Sequence, residues 1–159
     1  MTKILLILHV LAAIVAVGPV TVAASMFPPA ARSVPAADGA VAVDGAAAVA
    51  TVRLLHRICR VYAGIGVSVP VLGLATALAM GVLGSAWLIV SIALTAAAAG
   101  ILVAFVLPRQ EELLEQLDAE RPVDRSATVR LAMFTGVFNL LWATVTILMI
   151  VRPGSTTGA

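Results

Sequence analysis

Residues 4–26 form an apolar run, ILLILHVLAAIVAVGPVTVAASM, in which His9 is the one ionisable side chain. A hydrocarbon core about 30 Å thick is crossed by roughly 20 apolar residues in a helix, and this run is long enough. An ionisable residue inside such a span is a candidate functional residue. The run therefore predicts a transmembrane helix and makes His9 the first residue to test for function.

Three further apolar runs follow at residues 61–82, 86–107 and 131–151, and none of the four contains Asp, Glu, Lys or Arg. The chain is 62% hydrophobic and 11% charged, too few charges for the surface of a soluble domain. Because backbone polar groups in lipid must be satisfied within the segment, these runs are expected to be helices. The predicted fold is all-α: a four-transmembrane-helix bundle with short cytoplasmic helical extensions. One domain covers residues 1–152, with helices at about 4–26, 46–82, 86–107 and 127–151 and a disordered tail at 153–159.

The cationic residues predict the orientation. Eight of the ten lie in the two long connections, residues 27–60 and 108–130, and the other two are Lys3 and Arg152. The positive-inside rule puts those connections in the cytoplasm and both termini outside. The arginine-rich composition suggests a bacterial plasma membrane. Residues 22–24 resemble a signal-peptide cleavage site, but the run exceeds the usual apolar core of about 7–15 residues, so a retained helix is expected.

The two long connections carry opposite charges. Pro28, Pro29 and Pro35 predict the end of the first helix, and the Asp-Gly pairs at 38–39 and 44–45 predict turns. From residue 46 a helix is expected with a basic face that meets anionic lipid headgroups or, alternatively, a specific ligand: Arg53, Arg57 and Arg60, with His56 beside them. Residues 109–121 predict an amphipathic helix with an acidic face, which could pair with the basic one or bind a partner. Pro122 is expected to end it, and Ser126 to cap the last helix.

Within the spans, Pro70 predicts a kink. Gly73, Ala77 and Gly81 form a small-residue stripe, and a similar stripe lies at Ala96, Gly100 and Ala104; both indicate close helix packing. Asn139 is interpreted as an interhelical hydrogen bond, with a ligand role as the alternative, and Trp87 as part of the aromatic belt at the membrane surface.

Several kinds of chemistry lack their usual residues. The spans hold no carboxylate or lysine for a proton relay, and the sequence has no P-loop, Rossmann glycine pattern or His-Glu-x-x-His motif. The single cysteine, Cys59, excludes a disulfide or a four-cysteine zinc site within one chain. No basic tract indicates nucleic acid. No catalytic or metal-binding residues are predicted.

Two histidines could supply imidazole ligands, but the topology separates them. His9 lies near the outer end of the first helix and His56 on the cytoplasmic side of the second, so they are not expected to bind one iron. A metal or haem site would use His9 with a ligand from another helix or chain. Met80 is a better candidate for that ligand than Asn139 or Ser91. The preferred interpretation is a neutral His9 that is hydrogen-bonded to a neighbouring helix or to water, with the ligand role as the alternative.

Short motifs carry a family resemblance. Four parts of the sequence resemble the CopD and HemJ group of bacterial membrane proteins. They are Leu8-His9-Val10 with Gly18, Phe27-Pro28-Pro29 with Arg32, Arg60-Val61-Tyr62 through Pro70 and Gly73, and Trp87 at the start of the third helix. The closest resemblance is to an uncharacterised bacterial family of predicted integral membrane proteins allied to that group.

The resemblance implies a possible cofactor. HemJ-like proteins are protoporphyrinogen oxidases with haem b, held by a first-helix histidine and a lysine after the third-helix tryptophan. His9 matches that histidine, Ser91 stands at the lysine position, and Ala16 and Val17 replace the usual tryptophan. Haem b is thus the one cofactor candidate, with His9 as its ligand.

Two functions follow. The first is a non-enzymatic accessory or scaffold subunit of a membrane complex, or a homo-oligomer, because the spans are uncharged and two charged cytoplasmic helices are available for docking. The alternative is a haem- or copper-linked redox protein that uses His9. A channel or carrier is disfavoured because the spans offer few polar groups to line a pore.

Overall fold

The computed structural model describes residues 2–34 and 42–154, with the backbone only for residues 42–44. These residues form six α-helices and no strand: α1 (Thr2–Arg32), α2 (Ala42–Gly66), α3 (Ser68–Met80), α4 (Ala86–Ile101), α5 (Leu107–Asp118) and α6 (Arg125–Val151). The predicted turn at Asp38-Gly39, Pro35 and most of the predicted disordered tail lie outside the described residues.

Four helical stretches are long and apolar enough to cross a membrane: Thr2–Arg32, Gly45–Met80, Ala86–Asp118 and Arg125–Val151. The predicted all-α fold with four spanning helices is confirmed. The two ends of the bundle are named by their connections. The short-turn end holds residues 81–85, the start of α1 and the end of α6. The opposite end, with the start of α2, all of α5 and the start of α6, is the long-loop end.

The first helix is longer than predicted. Pro28 and Pro29 do not end α1, which continues to Arg32. Each proline lacks an N–H and so forfeits one helical hydrogen bond. In return Phe27, Pro28 and Ala31 are buried, most of them against the core shared with α2, and Arg32 Nε donates to the Pro28 carbonyl at 3.2 Å. The expectation of a helix end at these prolines was wrong because tertiary packing outweighs the local penalty.

The second span is interrupted where Pro70 predicts it. Pro70 has no N–H to donate to the Gly66 carbonyl, and α2 ends at Gly66. Val67 forms a turn, with its N–H donating to the Gly64 carbonyl at 3.2 Å, before α3 begins at Ser68. The turn expected at Asp44-Gly45 is absent, because α2 already begins at Ala42.

The third span continues through Pro108 into the amphipathic segment. A π-helical turn, Leu102–Val106, joins α4 to α5. The wider turn includes Ala104, whose carbonyl Pro108 cannot bond, so the chain passes the proline without a break. The predicted boundary at 107 was therefore wrong, and α5 is a direct extension of the membrane helix. It ends at Asp118, ahead of Pro122.

Most of the buried side chains lie toward the long-loop end. Helix α1 packs against α2, α3 and α6, α4 packs against α6, and α5 packs against α2. The largest fully buried apolar side chains join these contacts: Phe27, Val52, Leu113, Leu131 and Phe138. Outward positions on the spans are apolar, as a lipid-facing surface requires, for example Ile14, Leu140 and Ile150. This packing leaves two polar regions, one at each end of the bundle.

Candidate functional site

A small cavity lies at the short-turn end, between α1, α3, α4 and α6. Its volume is about 40 Å³, room for a water molecule or a single ion. The lining residues with polar, sulfur-containing or aromatic side chains are His9, Thr76, Met80, Trp87, Met149 and Arg152. His9 and Met80, which the sequence analysis paired as possible ligands, therefore do line one cavity.

His9 is held by the helix opposite. Its Nδ1 lies 3.0 Å from the carbonyl oxygen of Val69 in α3. A carbonyl can only accept, so Nδ1 donates and a neutral ring keeps its lone pair on Nε2. The contact is possible because residue 73 is glycine: a β-carbon there would lie 2.8 Å from His9 Cε1. The structure thus shows an interhelical hydrogen bond of the kind expected for a neutral His9, and it leaves Nε2 available.

Trp87 and Arg152 close the cavity at the helix ends. Arg152 caps α6 with a left-handed backbone, φ 45°, and its Nε donates to the Met149 carbonyl at 3.2 Å. Its guanidinium lies 5.7 Å from the centroid of the Trp87 ring, within cation–π range. Trp87 is 8% exposed. It therefore packs into the bundle, and its place in an aromatic belt at the membrane surface stays a prediction.

The polar cluster at the long-loop end joins α2 to α5. Gln110 is fully buried and bridges two side chains of α2: its Nε2 donates to Cys59 Sγ at 3.6 Å, and its Oε1 lies 3.0 Å from His56 Nδ1. Because this amide orientation leaves an oxygen toward the imidazole, His56 donates from Nδ1. His56 Nε2 then lies 3.6 Å from Glu111 Oε1.

The predicted basic and acidic faces meet around this cluster. Arg53 forms an ion pair with Asp118 at 2.5 Å, and Arg60 lies 3.9 Å from Glu111. Both arginine side chains remain more than half exposed, so the pairs contribute little to stability. Arg57 is exposed and forms no ion pair with another described residue. Contact of Arg53, Arg57 and Arg60 with lipid headgroups stays a prediction.

The two histidines lie at opposite ends of the bundle. His9 is bonded to α3 at the short-turn end and His56 to α5 at the long-loop end. No group of three or more His, Cys, Asp or Glu side chains that could hold a metal ion occurs among residues 2–34 and 42–154. Whether His9 binds haem b stays a prediction.

Comparison with known proteins identifies the family. A family model described as a predicted integral membrane protein (DUF2269) matches residues 3–153, nearly the whole chain. The chain belongs to this family. No curated protein matches the chain, and no solved structure matches it either. The DUF2269 match supports a multi-pass membrane protein; the finer relationship to the CopD and HemJ group stays a prediction.

Several residues at these two sites were not found from the sequence. Met149 and Arg152 line the same cavity as His9, and Gln110 bridges His56 and Cys59. The topology carried a signal for the first pair, because the end of the fourth span must return to the short-turn end. No comparable signal marked Gln110, since its role depends on α5 continuing the third span.

Proposed function

We propose that this DUF2269 protein is an accessory or scaffold subunit of a membrane complex, without catalysis of its own, and that it binds its partner at the long-loop end. The observation that carries the proposal is that only some of the acidic side chains on α5 form ion pairs with α2. Asp118 and Glu111 pair with α2, whereas Glu112 and Glu115 are exposed and form no ion pair with another described residue. They form what we call the acidic strip.

The acidic strip is held in a fixed position. Leu113 and Leu117, on the other side of α5, are buried in the core, and Gln110 anchors the start of the helix to α2. A rigid helix that presents unpaired carboxylates loses little conformational entropy on binding, which favours a partner with a basic segment. Because these carboxylates carry charge, they also provide selectivity and a faster association rate.

A second copy of the chain is the other partner that we consider. Ala96 and Gly100 on α4 and Ala104 in the π-helical turn are exposed, and no atom outside the helix lies within 4 Å of where a β-carbon of Gly100 would be. This small-residue stripe therefore lies open to lipid, where small residues permit close helix approach. A stable homo-oligomer is thus the second outcome of the purification described below.

We place the protein in the bacterial plasma membrane, with both termini outside and the long loops in the cytoplasm. Eight of the ten cationic residues lie in those loops, and four spans bring both termini to one side. Arg53, Arg57 and Arg60 would then lie near anionic cytoplasmic headgroups. A reporter fused to the C-terminus should be active only outside; a cytoplasmic reporter would overturn this orientation.

Native purification in mild detergent tests the accessory role. We expect the protein to retain a partner or a stable oligomer. Single reversals Glu112→Lys and Glu115→Lys should release a cytoplasmic partner. The matched control is Glu120→Lys, which makes the same charge change beyond the end of α5. A lone monomer from the native membrane contradicts the proposal, as does a partner that all three variants retain equally.

A haem- or copper-linked redox role is the second candidate function. The observation in its favour is the shared cavity of His9 and Met80. Because imidazole and thioether ligands suit copper, copper is the cofactor that we favour of the two. Expression in haem-replete cells should give a purified protein without a Soret band. A stoichiometric Soret band that disappears in His9→Gln would establish haem in place of copper.

A further inference from the structure

We propose that His9, Met80 and Met149 form a binding site for one Cu(I) ion at the short-turn end of the bundle. The inference is independent of the accessory role, and it deepens the second candidate function by naming the ion, its oxidation state and a third ligand. It concerns binding alone and involves no electron transfer.

The first donor is the Nε2 atom of His9. Because Nδ1 donates to the Val69 carbonyl, the lone pair of a neutral ring is on Nε2. Histidines that bind metals almost always donate their other ring N–H to a carboxylate, a backbone carbonyl or water, which fixes the tautomer and the ring orientation. His9 has this arrangement, and Gly73 provides the space that the ring needs against α3.

The other two donors are thioether sulfurs. Met80 lies at the end of α3 and Met149 near the end of α6, and both line the cavity with His9. Methionine side chains in helices point toward the N-terminal end of their own helix. For α3 and α6 that direction leads away from the membrane surface and toward the level of His9. Methionine is also flexible enough to adjust its sulfur to an ion.

The donor set selects a soft ion. Thioether and imidazole ligands suit Cu(I), whereas Ca²⁺ and Mg²⁺ require oxygen ligands such as carboxylates. No Asp or Glu lines the cavity. One nitrogen and two sulfurs give the three ligands of a trigonal site, and a volume of about 40 Å³ is enough for the ion without a bulky cofactor.

Arg152 is the cationic residue in the cavity lining, and it opposes a bound cation. Its guanidinium faces the Trp87 ring, and its Nε is engaged with the Met149 carbonyl. A monovalent ion is repelled half as strongly as a divalent one at the same distance, which again favours Cu(I). It follows that Arg152→Gln should bind Cu(I) more tightly than the wild type.

Binding is measured on the full chain in detergent micelles by competition with a colorimetric Cu(I) chelator. Cys59→Ser serves as the background, because a thiol at the long-loop end could bind Cu(I) by itself. We expect one ion per chain. Met80→Leu and Met149→Leu, which conserve volume, should each weaken binding at least ~10-fold. Met26→Leu and Met133→Leu, which replace exposed methionines elsewhere on the spans, should leave the affinity unchanged.

A second readout reports the position of the ion. In a Trp142→Phe background Trp87 is the one remaining tryptophan, and Cu(I) should quench its fluorescence in proportion to occupancy. Wild-type protein that binds no Cu(I) overturns the proposal, and so does undiminished affinity in the Met80→Leu, Met149→Leu double variant. If His9→Gln fails to fold, the two methionine variants still decide the result. Failure to bind copper leaves the partner purification, and hence the accessory role, unaffected.

Discussion

The imidazole of His9 occupies the space that a side chain at residue 73 would need. A β-carbon built on Gly73 lies 2.8 Å from His9 Cε1, closer than real β-carbons approach other atoms, and 3.3 Å from Nδ1, which is a tight contact. The same ring donates to Val69 one turn earlier on α3. The two residues are therefore complementary. Gly73 leaves space beside α3, and the His9 ring occupies that space and forms a hydrogen bond between the helices.

Gly73→Ala should destabilise the protein. The new methyl group forces the His9 ring off its position, and overpacking of this kind costs about 1–3 kcal/mol. The free energy of unfolding is to be measured in detergent by denaturant titration. Gly64→Ala is the control, because Gly64 is exposed and nothing lies within 4 Å of the place its β-carbon would take. That control should be neutral or slightly stabilising.

A double variant separates the clash from a general effect of alanine in α3. His9→Ala removes the ring, so Gly73→Ala in that background should cost much less than in the wild type. A coupling energy within about 0.5–3 kcal/mol is typical of residues in contact. Additive effects of the two substitutions would show that the ring and the glycine are not coupled.

The spans could be predicted from the sequence because their signal is simple: an uncharged apolar run of sufficient length has no other stable structure in lipid. The helix ends could not be predicted in the same way. Pro28 predicted a break, and the third span was expected to end at residue 107. Helix α1 nevertheless continues through Pro28 because its flanking side chains are buried, and a π-helical turn continues the third span past residue 107. Both outcomes depend on packing, which local propensity does not contain.

Only part of the candidate site could be predicted, again because the rest depends on how the helices pack. His9 stood out as an ionisable residue in a span, and Met80 could be assigned to the same end by counting residues. Met149 and Trp87 join them through the packing of α4 against α6, which the sequence does not specify. Gln110 looked like an ordinary member of an amphipathic helix. Its burial follows from the unbroken extension of α4 into α5.

Gln110 should be more important for stability than other polar residues on α5. Replacing Gln110 with Leu leaves His56 Nδ1 and Cys59 Sγ without their partner, and a buried polar group left unsatisfied costs about 1–3 kcal/mol. Gln116→Leu on the same helix is the matched control, because Gln116 Oε1 is buried without a hydrogen-bond partner in the structure. Equal losses of unfolding free energy in the two variants would contradict the bridging role of Gln110.

The two partners of the Asn139–Ser25 contact between α6 and α1 should differ in how much stability is lost when each is replaced. Asn139 Nδ2 donates to Ser25 Oγ at 3.1 Å, but Asn139 Oδ1 is buried without a partner. Removing the whole amide in Asn139→Leu therefore eliminates an unsatisfied atom as well as a hydrogen bond that is worth about 1 kcal/mol or less. Ser25→Ala instead leaves a second amide atom unpaired. We expect Ser25→Ala to destabilise more than Asn139→Leu, and the reverse order would refute this account.

Asp124, and not Ser126 as the sequence suggested, caps α6, and this should make stability depend on pH. Its carboxylate accepts from the Ser126 backbone N–H at 2.9 Å and from the Ser126 hydroxyl at 2.7 Å. Chiefly through the hydroxyl bond, these contacts hold the pKa of Asp124 below its usual value. The ionised form therefore stabilises the folded state at pH values above the unfolded pKa, and that contribution is lost as the pH falls through the lower, folded pKa.

Asp124→Asn should remove this acid-sensitive contribution while it retains a good capping residue. Thermal unfolding of the wild type and of the variant is to be compared from about pH 6 down to about pH 2. The stability advantage of the wild type should shrink on the acidic side and vanish once Asp124 is protonated in the folded state. Because Asp124 is fully exposed, high salt should weaken the dependence. A wild-type advantage that stays constant over this range would show that the charge of Asp124 does not contribute to the cap.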